Sequence, residues 1–196
     1  MSNYTERVIS RSTLRYYLGL LIRGKYHIKY SFNRWVARRN GAVVGENTVI
    51  SYGLAKISNG NLQVGKNCSI QSHKIDLRSK VVIGDNVIIG DNVEIIVASH
   101  NIDSTEWDLK LYGITIEDYV WIATNCLVLP SCTLIKYGAV CGAGSVVVRK
   151  VEELSVVAGN PAVEVKKRKS VHSDLIVPSL LGGDFNIYKK THRERA

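Results

Sequence analysis

Ile83-Gly84-Asp85-Asn86-Val87-Ile88 runs straight into Ile89-Gly90-Asp91-Asn92-Val93-Glu94. The two hexapeptides share one grammar. An aliphatic residue comes first, glycine second, Asp-Asn at the turn, and a small residue fifth. Six residues are too few for a helix with its loop, but enough for a very short strand and a turn. Gly, Asn and Asp tolerate the positive φ and close backbone approach such a turn requires. The aliphatic first residue then points inward, and the fifth is small because it fills a tight corner. One unit cannot bury a core alone, so copies must stack, and the pattern predicts a solenoid. A β-sandwich is the competing fold, but its strands are longer and its turn signals recur every ~8–12 residues.

Outward from this pair the grammar repeats. Upstream stand Val44-Gly45-Glu46-Asn47-Thr48-Val49 and Val64-Gly65-Lys66-Asn67-Cys68-Ser69. Downstream come Ile116-Glu117-Asp118-Tyr119-Val120-Trp121, Ile122-Ala123-Thr124-Asn125-Cys126-Leu127, Val128-Leu129-Pro130-Ser131-Cys132-Thr133 and Cys141-Gly142-Ala143-Gly144-Ser145-Val146. Residues 98–113 break the period with Ser99-His100-Asn101-Ile102-Asp103 and a polar stretch to Tyr112. This predicts a loop thrown out of the coil, and a loop of that length inside a repeat is often functional.

These residues resemble the hexapeptide-repeat acyltransferases over roughly 41–166. The closing stretch carries three linked motifs in order: Val120-Trp121-Ile122-Ala123, Cys141-Gly142-Ala143-Gly144-Ser145-Val146-Val147 and Val156-Val157-Ala158-Gly159-Asn160-Pro161-Ala162. In these it resembles the maltose/galactoside O-acetyltransferase branch and the capsule and polysaccharide sugar O-acetyltransferases. The resemblance implies a mainly β fold, a left-handed parallel β-helix with three hexapeptides, about 18 residues, per coil. Against that family, Leu134 to Val140 has seven residues where six are usual, which predicts a local bulge there. The expected organisation is a basic N-terminal helical segment (1–40), the β-helix with its catalytic loop (41–166) and a C-terminal extension (167–196).

The 196-residue chain is 45% apolar, enough for a sizeable core. No apolar run reaches the ~18 residues needed to span a bilayer, and no export signal is evident, so the expected compartment is cytoplasmic. The four cysteines show no CxxC spacing and no disulfide framework. The net charge of +9 is concentrated: between Glu6 and Glu46 there is no acid, and nine bases run from Arg7 to Arg39. No nucleic-acid motif accompanies them, so nucleic acid is not an expected partner. Residues 11 to about 40 read as mostly helix, with Leu14, Leu18 and Leu21 on one face. The expected placement is helices packed on the end of the solenoid; the second reading sets the segment near the rim of a trimer, approaching an anionic membrane surface. The tail is expected to pack on the helix side or to stay mobile.

Of five histidines, His27, His73, His172 and His192 sit in ordinary settings. His100 opens the interrupting loop, and a neutral imidazole suits removal of a hydroxyl proton. The resemblance assigns His100 as the general base that activates the acceptor. Its orienting partner stays open among Asp103, Glu94, Asp76 and a main-chain carbonyl. The family branch also holds its acceptor with an asparagine about one and a half coils earlier. Ile70-Gln71-Ser72 has none there, which implies a different acceptor geometry. By the same resemblance, coenzyme A would meet Trp121 and Thr124 near its pantetheine arm, Ala143 through the backbone, Val148 and Arg149 further along, and Lys166 in the Lys166–Lys169 cluster at its phosphates. Cysteine nucleophiles compete as a mechanism, but Cys68, Cys126 and Cys132 fall at corner positions and Cys141 at an inward one. A zinc site of the gamma carbonic anhydrase type needs paired histidines on one loop, and none follows His100 before His172; no metal is expected. The implied activity is transfer of acetyl from acetyl-CoA to a sugar hydroxyl, in a homotrimer, in surface polysaccharide or capsule synthesis. N-acetylation of an amino sugar and a non-catalytic scaffold are the alternatives.

Overall fold

The computed structural model describes residues 3–174 and 176–193, so the last part of the basic C-terminal cluster lies outside the described residues. Its body is a parallel β-solenoid of about six turns. Three ladders are visited in rotation. The first face stacks Val43–Val44, Leu62–Val64, Val81–Ile83, Ile114–Ile116 and Leu134–Ile135. The second stacks Val49–Ile50, Ser69–Ile70, Ile88–Ile89, Trp121–Ile122, Val140–Cys141 and Ser155–Gly159, all parallel. The third stacks Lys74–Ile75, Glu94–Ile95, Leu127–Val128 and Val146–Val147.

The hexapeptide grammar accounts for this directly. First-position side chains Ile83, Ile89, Ile95, Ile116, Ile122, Val128 and Ile135 are buried in one continuous core. Fifth-position Cys68, Val87, Val93, Val120 and Cys126 are fully buried, filling the corners. Corner residues in the left-handed region stack in columns: Asn47, Asn67, Asn86, Tyr119 and Gly138 between the first and second faces, and Asn92, Asn125 and Gly144 between the second and third. From the second coil of each column onward the backbone N–H bonds a carbonyl of the preceding coil, as from Asn86 to Lys66 and from Gly144 to Thr124, while the Asn92 N–H bonds the Asp91 carboxylate. Leu154, also left-handed, follows Gly138 in the first column, and the largest side chain there is that of Tyr119. Its hydroxyl is held by Asp174 at 2.5 Å.

Three details depart from the sequence reading. In the first coil the third face is not a strand but a helical turn, Tyr52–Ile57, capped by Ser51 accepting from the Leu54 N–H. The extra residue of the coil does not fall in Leu134–Val140. Ile135 pairs with Ile116, and Cys141 with Ile122, so the step between first and second faces stays six residues. The surplus lies between Val128 and Ile135, where Pro130 to Thr133 turn the corner and Cys132 is buried. The third departure is at residues 98–113, which form no open loop but a β-hairpin, Ala98–His100 against Leu109–Leu111.

Both ends of the solenoid are closed. At the start, helix α1 (Asn3–Ile9) precedes helix α2 (Thr13–Arg39), whose C-terminal half packs on the first coil. Asn33 donates to the Ile50 carbonyl at 2.8 Å, Arg34 to that of Thr48 at 2.9 Å and Asn40 to that of Ala55 at 3.1 Å; Arg38 bonds the Val44 carbonyl. These side chains serve edge carbonyls that no further coil would satisfy. At the other end Ala162–Lys167 folds back antiparallel on Ser155–Gly159. The C-terminal helix, Phe185–Arg193, returns to the N-terminal helices. Tyr188 stacks on Tyr16 with centroids 5.2 Å apart, and buried Asp184 pairs with Arg23 at 2.9 Å and accepts from Tyr4 at 2.6 Å.

Two outcomes are expected. At Gly84 an added Cβ would collide with the Asp118 carboxylate and lie 2.9 Å from the Asp118 backbone nitrogen. The neighbouring coil cannot yield there, so Gly84→Ala should cost about 1–3 kcal/mol in urea unfolding. The second concerns His172, which donates from Nε2 to the Asn86 carbonyl at 2.8 Å while Nδ1 accepts from Arg168 at 3.1 Å. Burial, with Arg168 adding to it against the Asn86 bond, lowers its pKa below 6.5. The unfolded chain then takes up the proton first as pH falls. Stability present above pH 6.5 should therefore be lost as pH drops through the lower folded value. Hydrogen exchange around His172 between neutral pH and about pH 5 should show this opening, and His172→Gln should remove its pH dependence.

Candidate active site

The hairpin of residues 98–113 leaves the solenoid after the third face and rejoins it at the first. It is tied at its base by Tyr112 N–H to the Val97 carbonyl at 2.8 Å, and at its tip by Asn101 N–H to the Asp108 carbonyl at 2.8 Å. Ser104 also bonds Asp108 at 2.5 Å. The turn is therefore organised by its own bonds.

His100 ends the outgoing strand, half-buried. Its ring stacks on Trp107, centroids 5.1 Å apart and 17° between planes. Its Nδ1 lies 2.7 Å from the Trp107 carbonyl oxygen. A carbonyl only accepts, so Nδ1 must carry the hydrogen, and in the neutral ring Nε2 is left as the proton acceptor. The orienting group is thus main chain, none of the three carboxylates. Asp76 instead binds Arg78 and the Val97 N–H, while Glu94 and Asp103 are exposed. Trp107 was not singled out from sequence. The available signal was the pair of alternating stretches Ala98-Ser99-His100 and Leu109-Lys110-Leu111 flanking a polar turn, which is a hairpin pattern.

A second arrangement lies on the second face. Trp121, Val140, Val156 and Lys166 are consecutive ladder partners. At strand spacings of about 4.7–4.9 Å they form a row about 14 Å long, apolar along its floor and cationic at its end. They line one groove of about 490 Å³ with Lys167, Arg168, Lys169 and Ser170. Within the basic cluster Lys167 bonds Ser155 at 2.7 Å, and Arg168 donates to the Tyr119 and Gly138 carbonyls. Lys166 and Lys169 remain exposed. Thr124 and Ala143 stack at the neighbouring corner, linked by the Gly144 N–H to the Thr124 carbonyl. Val148 and Arg149 lie elsewhere, past the third face. Arg149 lines a separate hollow with Glu152 and Glu164, and the Val148 carbonyl accepts from Ser131. The structure therefore groups Trp121 with Lys166, sets Thr124 and Ala143 beside them, and separates Val148 and Arg149.

The four cysteines are free and buried in the core. Burial pushes the Cys68 thiol up to about 12 and that of Cys132 to about 11, and the hydrogen bond with Cys126, together with burial, raises Cys141 well above the ordinary range. They are packing groups without access to a substrate. In the stretch Ile70-Gln71-Ser72, Gln71 donates to Ser69 at 2.9 Å. No helix among the described residues is long and apolar enough to cross a membrane.

No family model matches the chain. A provisionally named acetyltransferase of Saccharomyces cerevisiae is 39% identical over 114 residues, 55% of this chain and 56% of that protein. WbbJ of Escherichia coli K12, provisionally named a lipopolysaccharide biosynthesis O-acetyl transferase, is 36% identical over 91 residues, 46% of each. Among solved structures, a galactoside acetyltransferase in complex with coenzyme A superposes with a TM-score of 0.51 over 85% of this chain and 84% of its own, at 22% identity. The chain resembles the hexapeptide-repeat acetyltransferases in sequence and in fold. The match spans about half the length of the curated relatives.

The bond from His100 to the Trp107 carbonyl fixes one ring tautomer. In ¹⁵N-labelled protein at alkaline pH, His100 should appear as the Nδ1–H tautomer. An Nε2–H signal would contradict the bond to Trp107.

Proposed function

We propose that the chain transfers an acetyl group from acetyl-CoA to a hydroxyl of a saccharide, with His100 as general base, in surface polysaccharide or capsule synthesis. The observation that carries this reading is the Trp107 carbonyl, which binds Nδ1 and leaves Nε2 able to accept a proton. In the reaction, Nε2 takes the acceptor hydroxyl's proton as its oxygen attacks the thioester carbonyl. The resulting oxyanion collapses, the C–S bond breaks, and the coenzyme A thiolate recovers the proton from the imidazolium. Every atom is accounted for without a covalent enzyme intermediate or a metal.

The groove on the second face fits the donor. Trp121, Val140 and Val156 offer an apolar floor for the pantetheine arm, and Lys166 and Lys169 offer cations for its phosphates. Thr124 and Ala143 border it; Val148 and Arg149 would reach a donor only further along. The name of the relative WbbJ supports a polysaccharide acceptor and oxygen as its nucleophile, and the structural neighbour holds coenzyme A.

A homotrimer is part of this reading. The hairpin leaves at the corner between third and first faces, opposite the second face that carries the groove. One copy's His100 therefore meets a neighbouring copy's groove more readily than its own. The hairpin also exposes Ile102, Trp107, Leu109 and Leu111, which suits a protein contact.

His100→Ala is expected to lower kcat by about 10²–10⁴-fold while leaving coenzyme A affinity and the mass by light scattering unchanged. Near-wild-type turnover with a good acceptor would move the base elsewhere. An alkali-labile acetyl product marks an ester; a stable one marks N-acetylation.

A further inference from the structure

Helix α2 carries its large apolar side chains on the wrong side for a soluble capping helix. The residues it buries are Tyr16, Gly19, Tyr30, Asn33 and Ala37, three of them small or polar. Leu14, Leu18, Leu21, Ile28, Phe32 and Trp35 recur at steps of three, four and seven, which sets them on one face, and all six are more than half exposed. Leu21 and Ile28 are 73% and 72% exposed. The sequence reading of Leu14, Leu18 and Leu21 as one face holds, but that face turns away from the solenoid. Among the described residues nothing covers it.

Its charge limits what can. Helix α2 contains no Asp or Glu. Arg15, Lys25, Lys29 and Arg39 are exposed along it, and no ion pair among the described residues involves them. Lys29 and Arg39 rest over the rings of Tyr30 and Trp35. A second copy of the helix laid on this face would set these cations against their equivalents with no acid between them. Towards the N-terminus, α1 and α2 frame a groove of about 570 Å³ lined by Arg7, Arg11 and Arg15 together with Leu18 and Ile22, with the Asp184-paired Arg23 at its wall. Guanidinium groups beside aliphatic side chains match a phosphate headgroup and the first methylenes of its chain. Aromatic rings interleaved with Lys and Arg are the composition of helices that lie in a membrane interface. The helix does not qualify as a span.

We propose that the outward face of α2 docks the protein on an anionic lipid bilayer, lying in the headgroup region with the arginine groove taking phosphate headgroups. The solenoid then stands on the membrane by its first coil, with the 98–113 hairpin leaving at the end of the third coil. The inference is independent of the catalytic reading, since it uses no residue of the candidate active site.

The test is flotation of the full chain with vesicles of phosphatidylcholine containing about 30 mol % phosphatidylglycerol, against phosphatidylcholine alone, at low and high salt. Binding is expected only to the anionic vesicles, falling at least about tenfold on going to ~0.5 M salt. The combined variant Leu18→Glu, Leu21→Glu and Ile28→Glu changes exposed side chains, so its melting temperature should match wild type while vesicle binding is lost. No binding by wild type at low salt would overturn the proposal, as would undiminished binding by the variant. A drop in the mass measured by light scattering without vesicles, on going from wild type to the variant, would assign the face to a second copy and likewise overturn it.

Discussion

Backbone hydrogen bonding between successive coils is the constraint on which this molecule rests. A strand of two or three residues cannot satisfy its own N–H and C=O groups, nor can its corner. Each coil is completed by its neighbours on either side, through bonds such as Gly90 N–H to the Ile122 carbonyl of the next coil and Asn125 N–H to the Asp91 carbonyl of the preceding one. Corners must therefore superpose, and superposition sets what may stand there. A left-handed residue belongs at the turn, a side chain as small as Cys or Val inside the corner, and no Cβ where Gly84 meets Asp118. The same constraint makes the two ends costly. Asn33, Arg34, Arg38 and Asn40 of α2 answer the first coil's carbonyls, and the antiparallel return of Ala162–Lys167 answers the last coil.

A stack this regular leaves few places for chemistry. Inward positions are packed, so a reactive side chain must stand on an outward strand position, at a corner, or on an insertion. The groove from Trp121 to Lys166 uses the first option. Its row is straight because ladder partners lie directly above one another, and it ends in a cation because the returning strand begins its basic run there. His100 uses the last option. Freed from the coil, it is held instead by a ring beneath it and a carbonyl at Nδ1, both from Trp107. One residue thus sets both the plane of the imidazole and its tautomer.

The helical end follows a different logic. Its polar and small residues face inward because the edge carbonyls of the first coil need donors, and a leucine there would leave them unsatisfied. Arg34 and Arg38 are accordingly structural, as is Arg23 through Asp184. Of the bases clustered between Arg7 and Arg39, a subset holds the fold, while Arg15, Lys25, Lys29 and Arg39 stand outside among exposed Leu, Ile and aromatic rings.

Period and punctuation were legible in the chain itself. A repeating aliphatic first position, a turn residue and a small fifth residue describe contacts that every coil makes identically, so local sequence suffices to read them. The interruption after Val97 and the histidine opening it were legible for the same reason, as a departure from a strict repeat. Other features depended on which residues the stack brings face to face. The hydrogen bond from His100 to a carbonyl seven residues on, the helical turn at Tyr52–Ile57, the surplus residue between Val128 and Ile135, and the role of Arg168 as a clasp on the Tyr119 and Gly138 carbonyls all required the three-dimensional register. So did the orientation of α2. Spacing alone places Leu14, Leu18 and Leu21 on a common face, but whether that face turns inward is decided by the hydrogen-bonding needs of the coil beneath it, and those exist only once the solenoid has formed.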